Sequence, residues 1–237
     1  MKTILTPAAH TAHIDHLVVA AASLQQGVEW CEATLGITPG PGGEHPLMGT
    51  HNRLFSITTP DYPNAYFEII AIHSGAPCAR PTGTRRWFDL DSPDLQEKIA
   101  HYGPRLVHFV ASSANAAASA AALSRLALDR GELLAASRST PQGLLSWKIT
   151  VRPDGQRLFY GALPTLIEWG GIHPSQAMAP SGVTLQSLQA HHPRPDELRN
   201  AYAVLGLAGV EVSAGAPDLI ATLQTPKGLV QLHSHGI

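Results

Sequence analysis

His16 sits in an apolar run, Ile14-Asp15-His16-Leu17-Val18-Val19-Ala20, and His108 sits the same way in Leu106-Val107-His108-Phe109-Val110-Ala111. A helix-capping residue follows each by seven positions, Ser23 and Asn115. Further on, each stretch closes on an apolar run with one carboxylate, Phe67-Glu68-Ile69-Ile70 and Ile167-Glu168-Trp169-Gly170. Both glutamates are followed at equal offsets by Ile and His, Ile72-His73 and Ile172-His173. Two neutral imidazoles and two carboxylates would hold a divalent cation with no net charge left over. Nitrogen and oxygen donors without thiolate suit Zn, Ni, Co, Mn or Fe(II), and four protein ligands on an octahedral ion leave two positions for adjacent oxygens of a substrate. Such an ion acts as a Lewis acid on the enediolate formed when a proton leaves the carbon beside a carbonyl, and a carboxylate serves as base. Glu168 is the expected mobile base and Glu68 the alternate. The contrary reading pairs each glutamate with an arginine and each histidine with a backbone carbonyl. Burying even a neutral polar group unpaired costs on the order of 2–7 kcal/mol, so residues in these apolar runs need a partner of some kind.

The elements that would carry these residues come in the same order twice. The first unit, 12–74, reads as a strand at 14–21, a helix Leu24–Leu35 capped by Ser23 and ended by Gly36, an irregular or edge strand in the Pro/Gly-rich 37–49, and strands at 53–58 and 66–72. A linker, 75–104, carries Arg80, Arg85 and Arg86 and a short helix announced by Ser92-Pro93-Asp94 and stopped at Gly103. The second unit, 105–175, repeats the β-α-β-β-β order, with strands at 105–111, 133–137, 144–151 and 165–169 and a helix at 116–126. The stretch 181–237 looks like an abbreviated βαββ copy without the His and Glu. The fold class expected is α+β, with paired βαβββ modules in a curled mixed sheet around a cavity and helices outside.

Composition narrows the partners. A net charge of −2 with 14 % charged residues leaves no basic stripe for a phosphate backbone, so no nucleic-acid partner is expected. The run Met1–Pro7 breaks before it could supply the apolar core of a signal peptide, and no stretch approaches a membrane span, so no membrane is expected and a cytoplasmic location is. Cys31 and Cys78 are expected as free thiols there.

The paired modules, with one ligand type on each first and each last strand, resemble the vicinal oxygen chelate superfamily over residues 14 to 173. The first unit is similar to glyoxalase-like domain proteins in His16, Glu44-His45-Pro46, Gly49-Thr50-His51-Asn52 and Tyr66-Phe67-Glu68. Arg86-Trp87-Phe88-Asp89-Leu90 and Leu163-Pro164-Thr165-Leu166-Ile167-Glu168-Trp169 extend the likeness. The resemblance implies a half-barrel with His16, Glu68, His108 and Glu168 as metal ligands, and it is compatible with a homodimer. It also marks His45, His51 and Asn52 as cavity-lining, substrate-binding candidates. An arginine shortly after the first ligand, which glyoxalase I uses for the glutathione carboxylate, is absent from Leu17–Ser23.

Trp147, mid-strand, is placed with the substrate-binding residues, and with Leu144, Ile149 and Phe55 it would suit a substrate with an apolar part. Trp169, next to Glu168, should point to the opposite sheet face and pack under the helices. His73 and His173 are read as structural, and His233-Ser234-His235 as a terminal pair without a role. Two classes of function stay open: a metal-dependent lyase or isomerase on a small oxygenated molecule, and a non-catalytic small-molecule binding protein of the same fold. An Fe(II) dioxygenase is a variant of the first, against which the fourth ligand argues.

Overall fold

The structure is a computed structural model that describes residues 11–141 and 143–237, so the Met1–Pro7 run lies outside the described residues. The first unit comprises β1 (Ala12–Ala20), α1 (Leu24–Leu35), β2 (Glu44–His45), β3 (Thr50–Ser56) and β4 (Tyr66–Ile72). The linker carries α2 (Pro93–Tyr102), and the second unit has β5 (Arg105–Ser113), α3 (Ala116–Ser124), β6 (Glu132–Thr140), β7 (Gly143–Val151) and β8 (Thr165–Trp169). Helix starts follow side-chain chemistry. Ser23 accepts from Gln26 N–H at 3.1 Å and Asn115 accepts from Ala118 N–H at 2.9 Å, which satisfies donors that the first helical turn leaves unpaired. Gly36, at φ 79°, closes α1 in the left-handed region.

One mixed eight-stranded sheet runs in the order β2-β3-β4-β1-β5-β8-β7-β6 and curls as a half-barrel. In each unit the first and last strands pair in parallel, β1 with β4 and β5 with β8, and the units join edge to edge through antiparallel β1 and β5. Alternation along the strands sorts side chains between two cores. Leu17, Val19, Phe67, Ile69, Phe109, Ala111 and Leu166 face the convex side with α1 and α3. Val18, Ala20, Ile70, Val110, Trp147, Ile149 and Ile167 face the concave side. The linker turns into that concavity, and Trp87, Phe88, Leu90, Leu95 and Ile99 fill part of it.

Residues 181–237 form a second sheet from β9 (Thr184–His192), β10 (Val210–Ala214), β11 (Asp218–Thr225) and β12 (Gly228–His233), in the order β10-β9-β11-β12, with α4 (Pro195–Leu205). It has one strand more than the sequence pattern suggests, because β10 adds in parallel to the free edge of β9. Leu185, Leu188, Leu198, Ala201, Leu219 and Leu223 of this unit join the convex core, and Tyr202 Oη donates to Ala162 O. It therefore covers the outer face and leaves the concave face to the cavity. No helix among the described residues is long and apolar enough to cross a membrane.

Candidate functional site

β1 is irregular where the site begins. Ile14 pairs with Ala111 and His16 with Val110, so Asp15 is an extra residue in a β-bulge. A bulge breaks the alternation of a strand and re-aims its side chains. Here it lets Asp15 and His16 meet: His16 Nδ1 lies 2.6 Å from Asp15 Oδ1. Asp15 has no exposed surface, and its Oδ2 accepts from Trp169 Nε1 at 2.8 Å and lies 3.1 Å from His173 Nε2. Burial works against ionisation of this carboxyl, but the hydrogen bonds and charges of His16 and His173 outweigh it and hold its pKa well below the usual carboxylate range. An ionised Asp15 is acceptor only, so it takes the proton on His16 Nδ1 and leaves Nε2 as the atom turned toward the cavity.

Nε2 faces Glu68 on β4, whose Oε2 lies 3.5 Å from it. The β1–β4 register pairs His16 with Tyr66 and Val18 with Glu68, which puts all four on the concave face. Tyr66 stacks on His16 with ring centroids 4.5 Å apart. Burial, followed by the charges of Asp15 and Glu68, pushes the Tyr66 hydroxyl well above its ordinary pKa, so it stays a neutral phenol. Asn52 Nδ2 donates to Glu68 Oε1 at 2.6 Å, and its Oδ1 accepts from Gly43 N–H at 2.8 Å, which fixes the amide's orientation. His45 Nε2 lies 3.4 Å from the same Asn52 nitrogen, and its Nδ1 lies 3.0 Å from Thr50 Oγ1. Burial, helped by the positive charge of Arg138, pushes the His45 pKa down to about 3, so this ring is neutral.

These groups line a small cavity of about 40 Å³, walled by Trp87, Phe88, Leu145, Trp147, Ile149, Ile167 and Trp169 and flanked by Arg138. Of the residues singled out from sequence, His16, Glu68, His45, Asn52 and Trp147 come together here. The expected apolar wall needs two changes: Leu145 lines the cavity in place of the exposed Leu144, and Phe55 belongs to the convex core.

The other expected ligands do not join them. His108 is fully buried and both ring nitrogens are taken: Nδ1 lies 2.8 Å from Gly161 O, and Nε2 accepts from Thr165 N–H at 3.0 Å. Burial drives its pKa well below the usual histidine value, and a neutral ring clamps β5 to the start of β8. Glu168 lies on the opposite sheet face, where its carboxylate accepts from Lys148 Nζ at 2.9 Å and from Ala116 N–H at 3.0 Å at the start of α3. Trp169 correspondingly faces the cavity rather than the helices. Strand register explains both corrections. Tyr66 and Thr165 open β4 and β8, pairing with His16 and Val110. Aligned on these pairs, His16 matches Val110 and Glu68 matches Ile167, so the second unit is apolar at both matching positions. The sequence repeat is offset by two residues for His108 and by one for Glu168, and one residue changes the face.

His51 points away from Asn52 and stacks on His73 at 4.4 Å outside the cavity. The linker arginines serve as ties: Arg86 pairs with Asp91 at 2.6 Å and donates to Met48 O, and Arg80 donates to Arg152 O. Among the described residues, Asp218, His233 and His235 are the one group of three His, Cys, Asp or Glu side chains close enough to share a metal ion. Asp218 there already accepts from His235 N–H at 2.8 Å and lies 2.7 Å from His233 Nδ1, closing the C-terminal turn. The residues missed by sequence reading are Asp15, Arg138 and Trp169. Asp15 and Trp169 were hidden by the bulge and the register, and Arg138 carried no motif beyond its alternation with exposed small residues.

The sequence model of a glyoxalase-like domain matches residues 14–206. The chain belongs to the glyoxalase-like domain family. No curated protein matches its sequence. Among solved structures, a hypothetical protein from Staphylococcus aureus is similar at 13 % identity and TM-score 0.56, over 94 % of this chain and 85 % of that one. A Streptomyces coelicolor methylmalonyl-CoA epimerase variant is similar at 16 % identity and TM-score 0.38, over 68 % and 97 % of the two chains. The Mycobacterium tuberculosis methylmalonyl-CoA epimerase gives 13 %, 0.37, and 70 % and 92 %. The first of these likenesses supports the fold of this glyoxalase-like protein and nothing finer.

Proposed function

We propose that this glyoxalase-like protein is an enzyme of the lyase or isomerase kind, which moves a proton at a carbon beside a carbonyl, with His16 and Glu68 as its reacting pair and a divalent cation as cofactor. The observation that carries this reading is the approach of the buried His16 Nε2 and Glu68 Oε2 to 3.5 Å, with Asp15 on the Nδ1 side of the imidazole. An imidazole nitrogen and a carboxylate facing one another out of water call for a positive charge between them, a proton on Nε2 or a cation in its place. Their spacing fits one ion, since two ligands on a tetrahedral ion with bonds of about 2.1 Å lie about 3.4 Å apart. A histidine that gives its other N–H to a carboxylate is also the usual arrangement of a metal ligand. The donor set is half of the four-residue set expected from sequence. His16 and Glu68 would hold the cation, and its remaining positions fall to water or substrate.

The cation would supply Lewis acidity to an oxygen next to the reacting carbon. The chain does the rest. Asp15 fixes the His16 tautomer and plane. Asn52 holds Glu68 by Oε1 whichever partner Oε2 takes, so the same carboxylate serves as ligand and as acceptor of the proton lost from carbon. The tryptophan and aliphatic walls exclude water, which strengthens each electrostatic contact inside.

The test is solvent-deuterium incorporation into α-hydroxy and α-oxo carbonyl compounds, followed by mass spectrometry with Zn, Ni, Co, Mn or Fe(II) supplied. Metal-dependent incorporation by the native protein that disappears in Glu68→Gln is the expected result. Incorporation that survives Glu68→Gln would refute the assignment, and ligand binding with no incorporation in any case would favour the non-catalytic binding reading.

A further inference from the structure

Arg138 stands on the inward face of β6 with Leu134 and Ala136, alternating with the exposed Ala135, Ser137 and Ser139. Its guanidinium borders the His16–Glu68 cavity and an adjoining groove that also touches Gly42, Thr140, His173 and Pro174. Nη1 is shut off from solvent with no hydrogen-bond acceptor. Among the described residues no carboxylate pairs with it, whereas Arg86, Arg152 and Arg157 pair with Asp91, Asp154 and Asp89 at 2.6, 2.6 and 2.9 Å. The opposite wall leaves room for it: a Cβ on Gly43 would lie 1.8 Å from Nη1, so a side chain here would displace the guanidinium from this position. That same Gly43 donates to Asn52, the residue that holds Glu68.

A buried guanidinium nitrogen without an acceptor is costly, and an anion arriving from solvent removes that cost. We propose that Arg138 makes the cavity selective for a small carboxylic acid, binding its carboxylate and presenting the oxygenated carbon beside it to His16 and Glu68. The second half of this statement rests on the proton-transfer reading above; the carboxylate anchor does not. The planar fork of arginine matches a carboxylate with two parallel hydrogen bonds. A phosphate dianion fits less well, because Glu68 on the same cavity wall repels the extra charge and Arg138 offers a single cationic group against it. The apolar remainder of the acid would pack on Leu145, Trp147 and Ile149.

The test is isothermal titration of the full chain with mandelate, lactate and benzoylformate, each against its methyl ester, which has the same shape without the charge. The expected result is that the native protein binds at least one acid about tenfold or more tighter than its ester, the worth of a charge-assisted hydrogen bond. Arg138→Gln should bring that ratio close to one, and Arg138→Lys should restore part of it. The acid-to-ester ratio of the native protein is itself decisive, so the test does not depend on the folding of a variant. Equal binding of acid and ester, binding of neither, or a ratio unchanged in Arg138→Gln would overturn the proposal. Failure of the proton-transfer reading would look different: Arg138-dependent acid binding with no deuterium entering mandelate.

Discussion

Asp15 accepts from His16 Nδ1 and from the Trp169 indole, so one carboxylate fixes both the proposed ligand and a wall of the cavity. Asp15→Asn keeps the size but offers His16 an amide, which no longer enforces the Nδ1 tautomer. The expected outcome is a loss of divalent-cation affinity of about 10–100-fold, read by competition with a chromophoric chelator. An unchanged affinity would mean that His16 does not ligate. At this scale the sequence was half legible. His16 and Glu68 were visible because ionisable residues in apolar runs need partners. Asp15 was not, because only a bulge puts adjacent strand residues on one side, and Arg138 was not, because its meaning lies in acceptors it lacks.

Among the elements, β5 and β8 show what happened to the second half of the pattern. His108 is a buried clamp that must stay neutral in the fold, and His45 must too. Both folded pKa values lie below the unfolded value of about 6.5, so the folded state refuses protons that the unfolded chain takes up. Stability is therefore complete above about pH 6.5 and declines as pH falls toward the folded pKa values, by up to about 1.4 kcal/mol per pH unit for each group. Urea unfolding between pH 7.5 and 5 should show this decline, and His108→Gln, although less stable at neutral pH, should show a shallower one; an equal slope in the variant would show that His108 titrates freely. Gly161, at φ 86°, brings its carbonyl to His108, and a Cβ there would lie 2.1 Å from Val107 O. Gly161→Ala should therefore cost on the order of 1–3 kcal/mol in the same assay, and a neutral effect would contradict the clamp. The order of strands and helices was legible from capping residues and apolar runs. Which face each β8 side chain takes was not, because a run apolar on both faces carries no parity signal.

Across the whole molecule, the C-terminal sheet shares the convex core with α1 and α3, and the linker fills part of the concave one. A chain ending at residue 180 would expose Phe109, Leu163 and Leu166 along with the outer sheet face, so it should aggregate, and the full chain should unfold in one transition seen alike by tryptophan fluorescence and far-UV circular dichroism. Two separated transitions would contradict this packing. The 181–237 sheet was only partly legible from sequence, since β10 is five residues long and forms by adding to β9. Anomalous diffraction from crystals soaked in cobalt or zinc would locate the cation proposed between His16 and Glu68. A peak between His16 Nε2 and Glu68 Oε2 that is lost in Glu68→Gln is the predicted result; a peak confined to Asp218, His233 and His235, or none at all, would contradict it.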